Sequence, residues 1–175
     1  MVMKTNNRLM MLGGIDAGKS TLTDVLLGKE RVSEKVKTQA LTYDDWIVDT
    51  PGEYMENPLF YRTIMATSME ITHVAFVQDS TVDKTIFAPG FSSGINKLSI
   101  GIVTKLDHDK ADIEHSIKLM KKTLIRGPIV LTSSYTGQGI DLIYDLINLN
   151  SMKEMKEYVE KSNSGNILFH ELHKR

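Results

Sequence analysis

Short runs of apolar residues alternate along the chain with stretches in which apolar residues recur at helical spacing. The runs cover residues 9–12, 73–77, 98–103 and 129–131. Short, mostly apolar runs of this kind are typical of strands that are buried on both faces of a sheet. Because strands alternate with helices, the pattern predicts an α/β fold with a mostly parallel central sheet and helices on both faces.

The stretches of helical spacing indicate where the helices lie. The predicted helices cover residues 21–27, 58–69, 109–125 and 140–147. Residues 29–37 are charged and lack periodicity, which predicts a loop. Residues 38–43 and 46–49 predict two strands that are joined at residues 44–45.

Length and composition limit the classes of protein that need to be considered. A chain of 175 residues predicts one domain, over residues 1–150, followed by a helical extension over residues 151–175. The net charge of −1 gives no electrostatic reason to expect nucleic acid or a membrane as partner. The chain has no cysteine, which excludes disulfides and thiol nucleophiles. The first apolar run is too short to span a membrane, so we expect a cytosolic protein.

The segment GGIDAGKS at residues 13–20 carries the clearest chemical signal. It matches G-x-x-x-x-G-K-[ST], follows the first apolar run and opens the first helix, which is the context that this motif requires. Backbone N–H groups of such a loop hold phosphates, the lysine reaches the β- and γ-phosphates, and the serine ligates Mg²⁺. The expected phosphate-binding residues are Gly13, Asp16, Ala17, Gly18, Lys19, Ser20, Thr21 and, from the next motif, Gly52.

The sequence DTPG at residues 49–52 predicts the second half of this nucleoside-triphosphate site. Asp49 can join Ser20 in holding Mg²⁺, and the Gly52 N–H can contact the γ-phosphate. Alone, the pattern also fits a simple turn. Thr38 is the expected further Mg²⁺ ligand; the alternatives are Thr42 or a plain loop residue at position 38. A loop that orders on the γ-phosphate and relaxes after hydrolysis acts as a switch.

The sequence TKLD at residues 104–107 bears on the choice between guanine and adenine, and therefore between GTP and ATP. Asp107 presents two acceptor oxygens that suit the N1–H and amine of guanine, whereas adenine has an acceptor at N1. Alternatively, Asp107 caps the helix that is predicted to begin nearby. Residues 133–135 can supply a further backbone N–H to the base. The expected base-binding residues are Thr104, Lys105, Asp107, Ser133 and Ser134.

Together these motifs resemble the Ras-like P-loop GTPase superfamily, and more closely its EutP/PduV family of ethanolamine- and propanediol-utilisation proteins. The resemblance covers about residues 8–148. It is carried by the phosphate loop and by residues 37–40 (KTQA), 49–57 (DTPGEYMEN), 77–79 (VQD), 89–91 (PGF) and 101–107 (GIVTKLD). The resemblance implies a bacterial, cytosolic, GTPase-like protein of ethanolamine breakdown that associates with a microcompartment. It also implies a second activity, because acetate kinase activity with ATP has been attributed to the ethanolamine branch.

Several residues depart from the superfamily pattern. Thr104 replaces an asparagine, and one hydroxyl in place of an amide predicts weaker affinity or base discrimination. Ser134 replaces an alanine at a position where the contact is through the backbone. Glu53 stands where Ras has its water-positioning glutamine, and a carboxylate near a γ-phosphate predicts slow hydrolysis. The expected catalytic residues are Lys19, Thr38 and Glu53.

Asp16 places a carboxylate inside the phosphate loop. Some superfamily members have asparagine here and use it to bind K⁺. A carboxylate near a triphosphate costs free energy unless a cation or a basic residue lies between them. We therefore expect Asp16 to recruit K⁺ or a charge from a partner molecule, including another copy in an oligomer; the alternative is that Asp16 faces solvent without a role.

The extension beyond residue 150 has its own apolar pattern. Its apolar residues at helical spacing are Met152, Met155, Tyr158 and Val159. We expect a terminal helix packed on the domain and then a fraying end. The alternative is an amphipathic peptide that docks on a microcompartment shell or enzyme partner. His170 and His173 lack a third metal ligand.

Three functions are consistent with these residues: a GTP-hydrolysing switch, a kinase that transfers the γ-phosphoryl of ATP to acetate, and a nucleotide-stabilised scaffold. Lys19, Ser20 and Asp49 serve the first two alike, whereas Asp107 favours the switch. A kinase also needs a basic pocket for acetate. The candidates for that pocket are Arg62, Lys84 and Lys97.

Overall fold

The computed structural model describes residues 6–29 and 39–172. The expectations for Thr38 and His173 lie outside the described residues. The strands are β1 (Leu9–Gly13), β2 (Thr42–Asp44), β3 (Ile47–Asp49), β4 (His73–Asp79), β5 (Leu98–Thr104), β6 (Arg126–Leu131) and β7 (Ile167–Glu171). The α-helices are α1 (Lys19–Leu26), α2 (Glu53–Glu56), α3 (Tyr61–Ser68), α4 (Ile113–Thr123), α5 (Ile140–Ile147) and α6 (Met152–Lys161). Two 3₁₀ helices cover Pro58–Phe60 and Phe91–Gly94.

The strands form one seven-stranded sheet in the order β2-β3-β1-β4-β5-β6-β7. The five inner strands are parallel, whereas β2 and β7 are antiparallel at the two edges. This confirms the predicted α/β fold with a mostly parallel sheet. The carboxyl ends of parallel strands share one edge of the sheet, so the segments that follow β1, β3, β5 and β6 meet there.

Alternate residues of each inner strand enter the two halves of the core. In β1, Leu9 and Met11 join the cluster that packs against α1, α5 and α6. Met10 and Leu12 join the other cluster, which includes residues of α3 and α4. All four side chains are buried, because neighbouring side chains of a strand point to opposite faces and each face here is covered by helices.

Helix and strand ends differ from the predicted ones for local reasons. The α4 helix begins only at Ile113, because Asp112 acts as its cap and accepts a hydrogen bond from the His115 N–H at 2.9 Å. Asn57 caps the segment that leads to α3, and its Oδ1 accepts from the Leu59 N–H at 3.0 Å. The first turn of that segment is a 3₁₀ helix rather than an α-helix. The α2 helix was not predicted.

The end of the chain differs from the fraying end that the sequence predicts. Residues Ile167–Glu171 form β7, which pairs with β6 from Arg126↔Glu171 to Val130↔Ile167. Glu171 also accepts ion pairs from Arg126 at 2.9 Å and from Lys156 at 3.2 Å. The last strand therefore completes the sheet, and it also explains why β6 begins earlier than its apolar run.

The α6 helix packs on the domain as expected. It begins after Ser151, whose Oγ accepts from the Glu154 N–H at 3.2 Å, and its Met155 is buried in the core. Within residues 6–29 and 39–172, no helix combines the length and the apolar character needed to cross a membrane.

Candidate functional site

The phosphate loop joins β1 to α1 at the carboxyl edge of the sheet. Gly18 has φ +91°, a left-handed conformation that favours glycine. Gly52 lies so close to this loop that a Cβ atom there would be 2.5 Å from the Ile15 nitrogen. The turn after β3 therefore rests directly against the phosphate loop, as the pairing of the two motifs predicts.

Lys19 is the first residue of α1 and is buried. Its Nζ donates to the Gly13 carbonyl at 3.0 Å and to the Gly14 carbonyl at 2.9 Å. Burial lowers the pKa of Lys19 below its ordinary value, although the nearby carboxylates, led by that of Asp49, act in the opposite direction. The ammonium group is thus held at the loop, where it can contact phosphate oxygens.

Ser20 and Asp49 meet beside the loop. The Ser20 Oγ donates to Asp49 Oδ2 at 2.7 Å, and Asp49 is brought there because β3 pairs with β1. Thr50 reinforces this approach by donating to the Met11 carbonyl at 2.6 Å. A hydroxyl and a carboxylate are the hard oxygen donors that Mg²⁺ prefers. No group of three or more His, Cys, Asp or Glu side chains suited to a metal occurs among the described residues, so a metal here would take its remaining ligands from phosphate and water.

Thr104 ends β5 under the phosphate loop. Its Oγ1 lies 2.7 Å from the Ala17 carbonyl oxygen, to which it donates. The hydroxyl therefore links the base-side motif to the phosphate loop. Lys105 follows with φ +63°, and its Nζ donates to the Asp16 carbonyl at 2.7 Å and to the carboxylate of Asp79.

Asp107 lies at the other end of the site and is exposed. Its Oδ1 accepts from the Ser133 Oγ at 2.5 Å, which orients the carboxylate. The Ser133 N–H donates to the Gln138 carbonyl at 3.0 Å and is therefore not directed at a base in this structure. Ser133 acts on Asp107 through its side chain, which leaves Ser134 and Tyr135 as the residues of this segment that line the cleft.

One cleft of about 580 Å³ brings most of these residues together. The predicted site residues that line it are Asp16, Ala17, Gly18, Lys19, Ser20, Thr21, Asp49, Gly52, Glu53, Thr104, Lys105, Asp107 and Ser134. Gly13 and Ser133 are not among its lining residues, and Thr38 is outside the described part of the chain. The lining residues that were not predicted are Ile15, Thr23, Asp24, Asp44, Thr50 and His108. Thr42, the alternative to Thr38, and Tyr135, from the predicted segment 133–135, also line the cleft.

One protein-family model matches most of this chain. The family model "Ethanolamine utilisation - propanediol utilisation", PduV-EutP, matches residues 6–149. This chain belongs to the PduV-EutP family. The resemblance on which the sequence analysis relied is therefore confirmed.

Alignments with individual relatives cover most of this chain. Propanediol utilization protein PduV of Citrobacter freundii is 31% identical over 144 residues, which cover 81% of this chain and 93% of that protein. The protein named "Probable acetate kinase EutP" of Escherichia coli is 28% identical over 157 residues, which cover 89% of this chain and 96% of that protein. Translation initiation factor IF-2 of Acinetobacter baumannii is 26% identical in an alignment of 176 positions, which covers 90% of this chain but only 20% of that factor.

The PduV-EutP match ends before α6 and β7, so both elements lie beyond the family domain. They nevertheless share its sheet and its core.

The three basic residues considered for an acetate pocket lie outside the nucleotide cleft. Arg62 and Lys84 are exposed and do not line it. Lys97 lines another cavity of about 590 Å³, at the amino ends of β4, β5 and β6. Several polar groups of that cavity are already bonded within the chain: the Asn7 amide donates to the Ile147 carbonyl, and the Ser92 Oγ accepts from the Ile125 N–H. The sequence alone did not show that Lys97 lies at the opposite edge of the sheet from the nucleotide cleft.

Proposed function

We propose that this protein binds GTP with Mg²⁺ in the cleft and hydrolyses it slowly, as a switch in ethanolamine or propanediol utilisation. The observation that carries the proposal is the pair Ser20–Asp49, 2.7 Å apart beside Lys19, in one cleft with Asp107. Phosphate, metal and base partners of a nucleotide are thus available in a single cleft.

The charges of the cleft support a strict dependence on Mg²⁺. Among the described residues that line it, six carry carboxylates (Asp16, Asp24, Asp44, Asp49, Glu53 and Asp107) and two are lysines (Lys19 and Lys105). A triphosphate is itself strongly negative, so it is repelled unless a cation lies between it and these carboxylates. Ser20 and Asp49 would hold Mg²⁺, which would supply that charge.

In the proposed reaction, water attacks the γ-phosphorus, a new P–O bond forms, and the bond to the β-phosphate oxygen breaks to give GDP and phosphate. Lys19 contacts β- and γ-phosphate oxygens, and the Gly52 N–H contacts the γ-phosphate. Glu53, an exposed residue at the start of α2, orients the water but also repels the phosphate. The rate is therefore slow, and Thr38 or Thr42 completes the Mg²⁺ ligands.

Base choice rests on Asp107, which accepts from guanine N1–H and its amine and would face the N1 acceptor of adenine. Thr104 at the end of β5, Lys105 after it and Ser134 after β6 line the cleft on the side of the base. Ser133 acts on the base through its hydrogen bond to Asp107. Asp16 is the proposed site of K⁺ dependence, because it is exposed and lines the cleft. Equal hydrolysis rates in KCl and NaCl would exclude that part of the proposal.

The experiment that tests the function is titration of the protein with labelled GTP and ATP, with Mg²⁺ or with EDTA, followed by turnover assays with and without acetate. We expect GTP to bind more tightly, EDTA to abolish binding, and turnover to be independent of acetate. A Glu53→Gln variant that hydrolyses GTP at the wild-type rate would remove Glu53 from the mechanism. Absence of binding to either nucleotide would refute the proposal.

The second candidate is transfer of the γ-phosphoryl of ATP to acetate, which is favoured by the name "Probable acetate kinase EutP" of a relative. Lys19, Ser20 and Asp49 would serve it equally. The lining of the cleft argues against acetate kinase activity, because the three basic residues considered for binding acetate, Arg62, Lys84 and Lys97, do not line it. Acetate-dependent consumption of ATP in the same assay would establish this function instead.

The family supports an assignment to ethanolamine or propanediol utilisation, and we extend it to a location in the bacterial cytosol at a microcompartment. A shell or enzyme partner would contact the exposed face of α6, where Lys153 lies, because Met155 faces the core. We expect a Lys153→Glu variant to lose partner binding while it retains the fold.

A further inference from the structure

The middle of the phosphate loop is held by residues at the ends of two neighbouring strands. Asp79 ends β4 and Thr104 ends β5, and the two residues are paired in register. Thr104 donates to the Ala17 carbonyl and Lys105 to the Asp16 carbonyl, each at 2.7 Å. Two successive loop carbonyls are therefore bound by two successive side chains.

The carboxylate of Asp79 is itself fixed. Its Oδ2 pairs with the Lys105 ammonium group, and its Oδ1 accepts from the Thr81 N–H at 2.8 Å and from the Thr81 hydroxyl at 2.7 Å. The side chain of Asp79 is 10% exposed and that of Lys105 is 29% exposed. Burial alone would raise the pKa of Asp79, but the hydrogen bonds from Lys105 and Thr81 outweigh burial and lower it, so the group is an anion at neutral pH.

The part of the loop that this pair holds has an uncommon backbone conformation. Asp16 has φ +59° without being glycine, and Gly18 follows with φ +91°. A non-glycine residue in the left-handed region costs free energy unless its surroundings hold it there. The hydrogen bond from the Lys105 ammonium group to the Asp16 carbonyl oxygen acts directly on this residue, and the bond from Thr104 acts on the carbonyl of the next residue.

We propose that Asp79 is a positioning residue that acts through Lys105 to hold the phosphate loop in its nucleotide-binding conformation. Nothing in the motif pattern assigns this carboxylate a role, and it does not line the cleft. If the charge of Asp79 is removed, the Lys105 ammonium group loses the anion that keeps it at the loop. The ammonium group is then better solvated in water than at the loop. The effect on nucleotide binding rests on the proposed function; the effect on the loop does not.

The effect on the loop is measured by amide hydrogen exchange of the nucleotide-free protein, in the peptide that contains residues 13–20. Asp79→Asn keeps the size of the side chain and removes its charge, and we expect faster exchange in that peptide. Asp79→Glu, which restores the charge, should recover part of the protection. Asp83→Asn is the matched control, because this acidic residue is exposed in the loop that follows β4. Removal of its charge should leave the hydrogen exchange of residues 13–20 unchanged. Equal exchange in Asp79→Asn and the wild type would overturn the proposal.

The effect on binding is measured by a double-mutant cycle with a fluorescent GDP analogue. We expect Asp79→Asn to raise the Kd about tenfold, in keeping with the loss of a charge-assisted hydrogen bond. In a Lys105→Met background the same substitution should have little effect, because its target is gone. A tenfold rise in both backgrounds would show that Asp79 acts independently of Lys105, against the proposal.

The two measurements distinguish failure of the proposed function from failure of the role assigned to Asp79. If the wild type binds no nucleotide, the proposed function is wrong, and hydrogen exchange still decides the role of Asp79. If Asp79→Asn does not fold, as judged by circular dichroism, Thr81→Val takes its place. That variant removes one donor to the carboxylate, so loop exchange should increase by a smaller amount, and unchanged exchange would contradict the proposal.

Discussion

The buried histidine at the start of β4 predicts a loss of stability in mild acid. The side chain of His73 has no exposed surface. Its Nε2 lies 2.9 Å from the Leu149 carbonyl oxygen and its Nδ1 lies 2.7 Å from the Thr72 Oγ1. A neutral ring that donates from Nε2 and accepts at Nδ1 satisfies both contacts. Protonation would place a charge where water cannot reach it.

Burial lowers the pKa of His73 from 6.5 to about 4, although its bond to Leu149 acts in the opposite direction. As the pH falls below 6.5, the unfolded chain binds a proton at this residue and the folded protein does not. The free energy of unfolding therefore decreases by about 1.4 kcal/mol per pH unit until the pH approaches 4. The loss attributable to His73 is about 2 kcal/mol between pH 6.5 and 5, and about 3 kcal/mol in total.

The assay is urea unfolding followed by circular dichroism at several pH values between 7 and 5, with the wild type and two variants. His73→Gln removes the titrating group, so its free energy of unfolding should decrease less over this range. His115→Gln is the control, because this histidine lies on α4 and is not fully buried, and its profile should follow the wild type. Parallel pH profiles of wild type and His73→Gln would refute the reasoning.

Three further predictions concern contacts around the cleft and the sheet edge. Thr104→Val keeps shape but leaves the buried Ala17 carbonyl without the donor that lies at 2.7 Å, and we expect urea denaturation to show a loss of about 1–3 kcal/mol; an unchanged midpoint would contradict this. Gly52→Ala places a Cβ 2.5 Å from the Ile15 nitrogen and should lower the melting temperature and nucleotide affinity, whereas Gly94→Ala, with no atom within 4 Å of its Cβ, should change neither. Glu171→Gln breaks two partly exposed ion pairs, and we expect the free energy of unfolding in urea to fall by less than about 1 kcal/mol. Deletion of residues 167–175 exposes the edge of β6 and should increase self-association in size-exclusion chromatography. A deletion variant that is monomeric and fully stable would contradict the role of β7.

The fold class and most of the residues that line the cleft follow from the sequence alone. Apolar runs alternating with helical spacing are local properties, and a parallel sheet brings the carboxyl ends of its strands to one edge whatever the details of packing. The phosphate loop, Asp49 and Asp107 follow strands in that order, so their meeting was predictable without coordinates. The resemblance added the family, and the family model confirmed it.

The tertiary structure decided what depends on contacts between distant residues. Asp79 and Lys105 are 26 positions apart, and Lys105 and Asp16 are 89 apart, so no local pattern signals their pairing. The sequence showed only that Asp79 follows the apolar run 73–77 and belongs to a segment, residues 77–79, that carries the family resemblance. In the sequence His73 is only the first residue of the run 73–77, and its contacts with Thr72 and Leu149 exist only in the folded protein.

The same reason explains the end of the chain. Residues 167–171 carry too short an apolar pattern to be told from a fraying end, because a strand at a sheet edge is defined by its hydrogen-bonding partner. Only the folded sheet supplies β6 as that partner. Spacing along the chain thus predicts which residues share an edge of the sheet, and tertiary packing decides which of them touch.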